Sequence, residues 1–243
     1  MTYCVGMLLN KGLVFMSDTR TNAGIDNIST FKKMFTWSVP GERVITIMTA
    51  GNLATTQALV STLDERSKAP DQRKPSLLEA PSMFQVATIV GETLREIIKN
   101  QKDEGQQASS TFNATIIIGG QINGSEPRLF MVYPEGNFIE SSEDTPFFQV
   151  GETKYGKPIL LRAYNPDMSF EEATKLLLVS FDSTIKANLS VDLPLDLQCY
   201  EKNSFELKYQ TRITKDNPYY QSVSSGWGNA LKAAFDELED FNF

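Results

Sequence analysis

Two apolar runs one turn apart open the chain, and that pairing restricts the possible folds more than any other feature. Val5, Met7, Leu8 and Leu9 precede Asn10-Lys11-Gly12, and Leu13, Val14, Phe15 and Met16 follow it. Short β-prone runs split by turn-forming residues predict a hairpin over residues 2–18. With a three-residue loop, Leu9 faces Leu13, Cys4 faces Asp18 and Thr2 faces Arg20, which makes Thr2 and Asp18 near neighbours. The first run lacks a basic flank and is broken by the turn, so it does not read as a signal peptide.

The remaining pattern extends the β theme and inserts helices. Arg43 to Thr49 is a β-branched strand after the Pro40-Gly41 turn, and it ends at Ala50-Gly51. Asn52 is a helix N-cap, with Leu53, Ala54, Ala58, Leu59 and Leu63 at helical spacing. Ser67 to Pro75 reads as a loop, and a second helix is expected from Pro81 through Ile98, dissolving at Lys102 to Gly105. Strands at 114–120, 128–133 and 138–141 form a meander across the Asn123-Gly124 and Glu135-Gly136 turns. Ser169 to Leu178 is helical, 195–200 and 205–211 are strands, and a last helix is expected over 228–241. This order suits helices packed outside two stacked antiparallel sheets. The size and the 41% hydrophobic content fit one globular domain over residues 1–243.

Composition then narrows the chemistry. The chain has no histidine, so it cannot build a Ser-His-Asp triad, a Cys-His pair or an HExxH zinc site. Its two cysteines, Cys4 and Cys199, form no metal-binding motif, and neither a metal nor an organic cofactor is expected. A net charge of −7 and the lack of a basic cluster longer than Lys32-Lys33 argue against nucleic acid or an anionic membrane as partners. No run approaches the roughly 18–20 apolar residues of a membrane span, and a reduced, cytoplasmic chain is expected. The best remaining base for an alcohol nucleophile is an unblocked α-amine, whose intrinsic pKa of about 7.7–8.0 lies close to neutral pH. Such an amine belongs to Thr2 once Met1 is removed.

Taken in order, Met1-Thr2, Ser17-Asp18-Thr19-Arg20 after a hairpin, Lys33 in Phe31-Lys32-Lys33-Met34, and Thr49-Ala50-Gly51 before a helix resemble proteasome β subunits and the bacterial HslV protease. The TYCVG, SDTRTNAG and DNISTFKK phrases are most similar to Anbu, the bacterial ancestral β subunit of that superfamily, and the resemblance covers the whole chain. It implies a four-layer αββα sandwich of the N-terminal nucleophile hydrolase type, an α+β fold. It also implies a threonine peptidase, a self-compartmentalising endopeptidase acting on peptide or amide bonds through an acyl-enzyme on Thr2. A homo-oligomer is implied as well, open and helical or ring-like, of about a dozen subunits, since a head-to-tail contact whose rotation does not close makes a spiral. Two alternatives stay open: a non-proteolytic amidase or transpeptidase on small amides, and a non-catalytic assembly subunit.

The resemblance assigns roles by position. Thr2 is the nucleophile, Lys33 lowers its pKa and helps move the proton, and Asp18 holds that ammonium. Adjacent strand residues face opposite ways, so only one of Lys32 and Lys33 points into the site, and motif spacing favours Lys33. Gly51 supplies a backbone N–H to the oxyanion at a helix N-terminus. Ser190 survives from the supporting Arg-Asp-x-x-Ser-Gly stretch, but Ala187 occupies its aspartate position. Glu152 stands where the family carries a serine, and Asp182, Asn188 or Glu152 is available to replace the lost support. Phe241 and Phe243 read as part of a solvated helix end rather than as a hook for a partner.

Overall fold

The computed structural model describes residues 2–22, 28–69, 74–104 and 111–243. Strands β1 (Tyr3–Leu9) and β2 (Gly12–Asp18) form the expected hairpin, but with Leu9 opposite Gly12 and Cys4 opposite Ser17. The register is one residue from that of a three-residue loop. Neighbouring segments set it: Asn10 N donates to the Pro166 carbonyl, and Lys202 N donates to that of Lys11, both at 2.9 Å. Turn chemistry alone does not contain that information.

After two short paired strands, β3 (Arg20–Asn22) and β4 (Ile28–Thr30), come β5 (Met34–Val39) and β6 (Arg43–Gly51). Helix α1 (Leu53–Lys68) follows, and Asn52 caps it by accepting from Thr55 N at 3.1 Å. Helix α2 (Met83–Glu104) begins two residues later than expected, with Ser82 Oγ accepting from Gln85 N. It persists through Glu104, and Gly105 and residues 70–73 of the expected loop lie outside the described residues.

Strands β7 (Ala114–Ile122), β8 (Arg128–Val132) and β9 (Phe138–Glu140) make the expected meander. Strand β10 (Phe147–Gly151) and the short helix α3 (Lys157–Ala163) have no counterpart in the sequence reading. Helix α4 (Phe170–Ala187) carries a full capping box between Ser169 and Glu172, and runs well past Leu178 because Phe181 and Thr184 continue its buried face. Strands β11 (Leu195–Glu201) and β12 (Tyr209–Ile213) precede α5 (Pro218–Asp236).

That last helix corrects the expectation of 228–241. It starts ten residues earlier, at the Asn217 N-cap and Pro218, because Tyr220 and Val223 pack into the core. Farther along the chain Leu231, Phe235 and Leu238 are exposed, as are Phe241 and Phe243.

One sheet has the order β10-β1-β2-β11-β12 and the other β5-β6-β7-β8-β9. Side-chain alternation assigns their faces. Tyr3, Val5, Met7 and Leu9 of β1 join α3, α4 and α5 in one apolar cluster, whereas Cys4 turns inward with Leu13 and Phe15. In the second sheet Ile45, Ile47, Ile116 and Ile118 pack beneath α1 and α2, and Val44, Met48 and Ile117 face the first sheet. The result is an αββα sandwich with three apolar layers. Each fully buried Leu or Ile contributes about 1.5–3 kcal/mol relative to exposure.

Candidate active site

The start of β1 is held from several sides. Its pairing with β10 puts Tyr3 opposite Gly151, and the Thr2 carbonyl accepts from Glu152 N at 2.6 Å. Gly151 has φ +86°, and a Cβ there would sit 2.0 Å from the Thr2 carbonyl oxygen, so this close approach requires glycine. Tyr3 anchors the next residue. Its ring lies 4.4 Å from that of Phe181, its hydroxyl bonds Ser180 Oγ at 2.7 Å and accepts from Gln149 Nε2 at 2.6 Å, and burial pushes that phenol up to about 12. Thr2 itself is 8% exposed.

Asp18, the last residue of β2, is fully buried. Its Oδ1 accepts from Tyr3 N at 2.8 Å and from Lys33 Nζ at 2.8 Å, while Oδ2 accepts from the same ammonium at 2.9 Å. One carboxylate therefore fixes both the backbone beside Thr2 and the lysine head. Lys33 Nζ also donates to the Arg20 carbonyl at 2.6 Å, and the Lys33 carbonyl accepts from Thr49 N, extending the β5–β6 ladder. Burial pushes the Asp18 carboxyl up to about 6, with Lys33 and the Tyr3 N–H pulling the other way. Nearby Cys4 is completely buried, and burial also raises its thiol far above the ordinary range.

Gly51 closes β6 directly before the Asn52 cap, at φ +120°. A Cβ would meet the Asn113 carbonyl at 2.4 Å, so both conformation and space exclude a side chain. A cleft of about 670 Å³ opens here, lined by Thr2, Thr21, Lys33, Thr49, Gly51 and Gly151 among others. Four of the residues named from sequence, Thr2, Asp18, Lys33 and Gly51, thus converge at one end of the sandwich. Lys32 departs from the either-or expectation. It faces away from Asp18, with Nζ 5.6 Å from the centre of the Phe35 ring, yet it also lines the cleft.

Ser190 is not among the cleft-lining residues. It is reached through a chain of contacts: Ser190 N donates to Asn188 Oδ1, and Asn188 Nδ2 donates to Glu152 Oε2, both at 2.9 Å. Glu152 in turn holds the Thr2 carbonyl by its backbone. Asp182 instead pairs with Lys186 at 2.8 Å and accepts from Tyr220, away from this chain of contacts. Sequence reasoning missed Tyr3, Gln149 and Ser180, whose network joins residues up to 177 positions apart and leaves no local signal. Among the described residues, no group of three or more His, Cys, Asp or Glu is placed to hold a metal ion.

The family model for the proteasome subunit matches residues 2–192. The chain belongs to the proteasome subunit family. Among curated proteasome subunits it is 27% identical to proteasome subunit beta 2 of Pyrobaculum calidifontis, over 86% of this chain and 95% of that one. Solved structures of Anbu, the ancestral β subunit, superpose along nearly the entire length. Anbu from Yersinia bercovieri is 47% identical with TM-score 0.92, covering 99% of each chain. A Gly-1 mutant of Anbu from Hyphomicrobium sp. strain MC1 is 48% identical with TM-score 0.91, covering both chains fully. The Anbu complex of Pseudomonas aeruginosa, solved as a helical assembly, is 44% identical with TM-score 0.92, covering 99% of this chain and 98% of that one. In this proteasome-family chain, then, the likeness to Anbu extends beyond residue 192, through β11, β12 and α5.

Proposed function

We propose that this chain is a threonine-type peptide or amide hydrolase, working as a homo-oligomer in the cytoplasm, with Thr2 as nucleophile after removal of Met1. The observation that carries the reading is the shared Asp18 carboxylate, which ties Lys33 Nζ to the strand that begins at Thr2. Thr2 Oγ attacks the substrate carbonyl and gives its proton to its own α-amine, the best base available to a chain without histidine. Lys33 stabilises the developing alkoxide, and the backbone N–H at Gly51 donates to the oxyanion. Collapse breaks the C–N bond, the leaving amine takes the proton, and an ester on Thr2 remains. Water then hydrolyses it, with the α-amine again taking the proton.

Glu152, held by Asn188 and bonded through its backbone to the Thr2 carbonyl, replaces the family's serine as the group that orients the terminus. Support for an assembly comes from the helical Anbu complex of Pseudomonas aeruginosa. The test is intact mass before and after an epoxyketone directed at N-terminal threonine. The expected result is loss of Met1 and one adduct on the wild type, with none on Thr2→Ala. Retained Met1 in protein from the native host, with no adduct, would favour a non-catalytic assembly subunit. Hydrolysis confined to small amides would favour an amidase.

A further inference from the structure

The cleft beside Thr2 does not end at Lys33. A second hollow of about 480 Å³ runs along β5, β11 and β12, past Met34, Thr36, Leu197, Gln198 and Gln210, and Lys32 lines both. The charges along this combined path can be counted among the described residues. Lys33 is neutralised by Asp18. Arg212 and Asp196 neutralise each other through two bonds, Nε to Oδ1 at 2.7 Å and Nη2 to Oδ2 at 2.9 Å. Arg20, the first residue of β3, lines neither hollow and shares Asp192 with Lys215, at 2.9 and 3.0 Å. Lys32 makes no ion pair among the described residues, and its Nζ lies over the Phe35 ring, 5.6 Å from the centroid. No carboxylate lines the first cleft. Among the described side chains that line the two hollows, Lys32 is thus the one cation that no carboxylate compensates, on a chain whose net charge is −7.

We infer that Lys32 selects substrates with a carboxylate side chain, glutamate or aspartate, at the position that lies between the two hollows. This rests on the peptide-hydrolase reading above and adds its substrate class. The Phe35 ring attracts the ammonium to its face, so the long lysine side chain has already lost part of its rotamer freedom before a substrate arrives. A solvated lysine held this way still faces water, so an ion pair with it is worth a modest preference, about threefold between glutamate and glutamine. Screening by salt should reduce it, because the Debye length shrinks from about 8 Å at physiological ionic strength to about 3 Å at 1 M.

The experiment separates binding from catalysis. Full-length Thr2→Ala protein, which cannot turn substrate over, is titrated with fluorescent hexapeptides that carry Glu, Gln or Lys at each position in turn. At one position Glu should bind about threefold more tightly than Gln. Lys32→Gln should erase that difference, Lys32→Glu should convert it into a preference for Lys, and high salt should weaken it. Equal affinities for Glu and Gln at every position overturn the inference. So does a Glu preference that survives Lys32→Glu, or the absence of measurable binding by any Glu peptide at millimolar concentration. Wild-type protein that binds the Glu peptides but does not cleave them refutes the hydrolase reading and leaves the charge selection standing.

Discussion

Replacing Lys33 with methionine removes the ammonium and keeps much of the side-chain length, which isolates the charge between β2 and β5. In the wild type the Asp18 carboxyl titrates at about 6 and is ionised at pH 8, where it faces Lys33 Nζ at 2.8 and 2.9 Å. Without the cation, the two largest influences opposing burial are lost and only the smaller pull of the Tyr3 N–H and the terminal amine remains, so the variant's carboxyl keeps its proton to higher pH. A carboxyl whose folded pKa lies above its unfolded value binds extra proton in the folded state, and stability falls as pH rises between the two values. For the wild type that decline runs from about 4, the unfolded value, and ends near 6. For Lys33→Met it continues, so the gap between the proteins opens by about 1.4 kcal/mol per pH unit above 6. At pH 8 the variant should be about 3 kcal/mol less stable, in the range found for breaking a buried ion pair, while near pH 6 the two should be close. Urea melts at pH 6, 7 and 8, at one protein concentration and with a shared m-value, read this directly. A deficit equal at all three pH values would refute the reasoning, since it would show that Lys33 acts by packing and not by charge.

The same site gives three more expectations. Gly51→Ala should cost at least about 2 kcal/mol in a thermal or urea melt, because φ +120° and the Asn113 carbonyl 2.4 Å from the new Cβ both oppose it. The logarithm of kcat/KM should rise with slope one up to the α-amine value of about 7.7–8.0, and with slope two below about 6, where Asp18 is also protonated. Asp18→Asn should abolish the lower break and keep the upper one. Glu152→Ala keeps the N–H that holds the Thr2 carbonyl but removes the carboxylate that accepts from Lys154 N and Asn188 Nδ2 and so fixes that backbone; kcat should fall about tenfold with KM within a factor of two, Glu152→Gln should lose less, and steady-state kinetics decides.

Much of the architecture was legible because its signals are local. Asn52 before Leu53, the Ser169 and Glu172 box, and the Asn123-Gly124 turn each name their own element. What escaped depends on distant partners. Strand β10 is an edge whose only strand neighbour is β1, more than 130 residues earlier, and β5 is half-buried with no strict alternation. Helix α5 was displaced because Gly226 and Gly228 lie inside it, each costing about 1 kcal/mol against alanine, while its exposed Leu231, Phe235 and Leu238 imitate a packed face. The site followed the same division. Thr2, Asp18, Lys33 and Gly51 were legible through the resemblance to proteasome subunits, yet the bond from Tyr3 N to Asp18 Oδ1, which ties the first strand to the lysine, is a backbone contact that side-chain identity does not reveal.

The anchoring of the first strand also sets an order of events during synthesis. An aminopeptidase must engage the free end of the chain, but Tyr3 and the residues after it lie inside a five-stranded sheet and Thr2 is almost wholly covered. On the proposed reading, in which Met1 is removed, the end of the chain is most open to that enzyme before β10 and β2 pair with β1, and β10 is made well over a hundred residues later than β1. The ribosome thereby opens a processing interval that folding later closes.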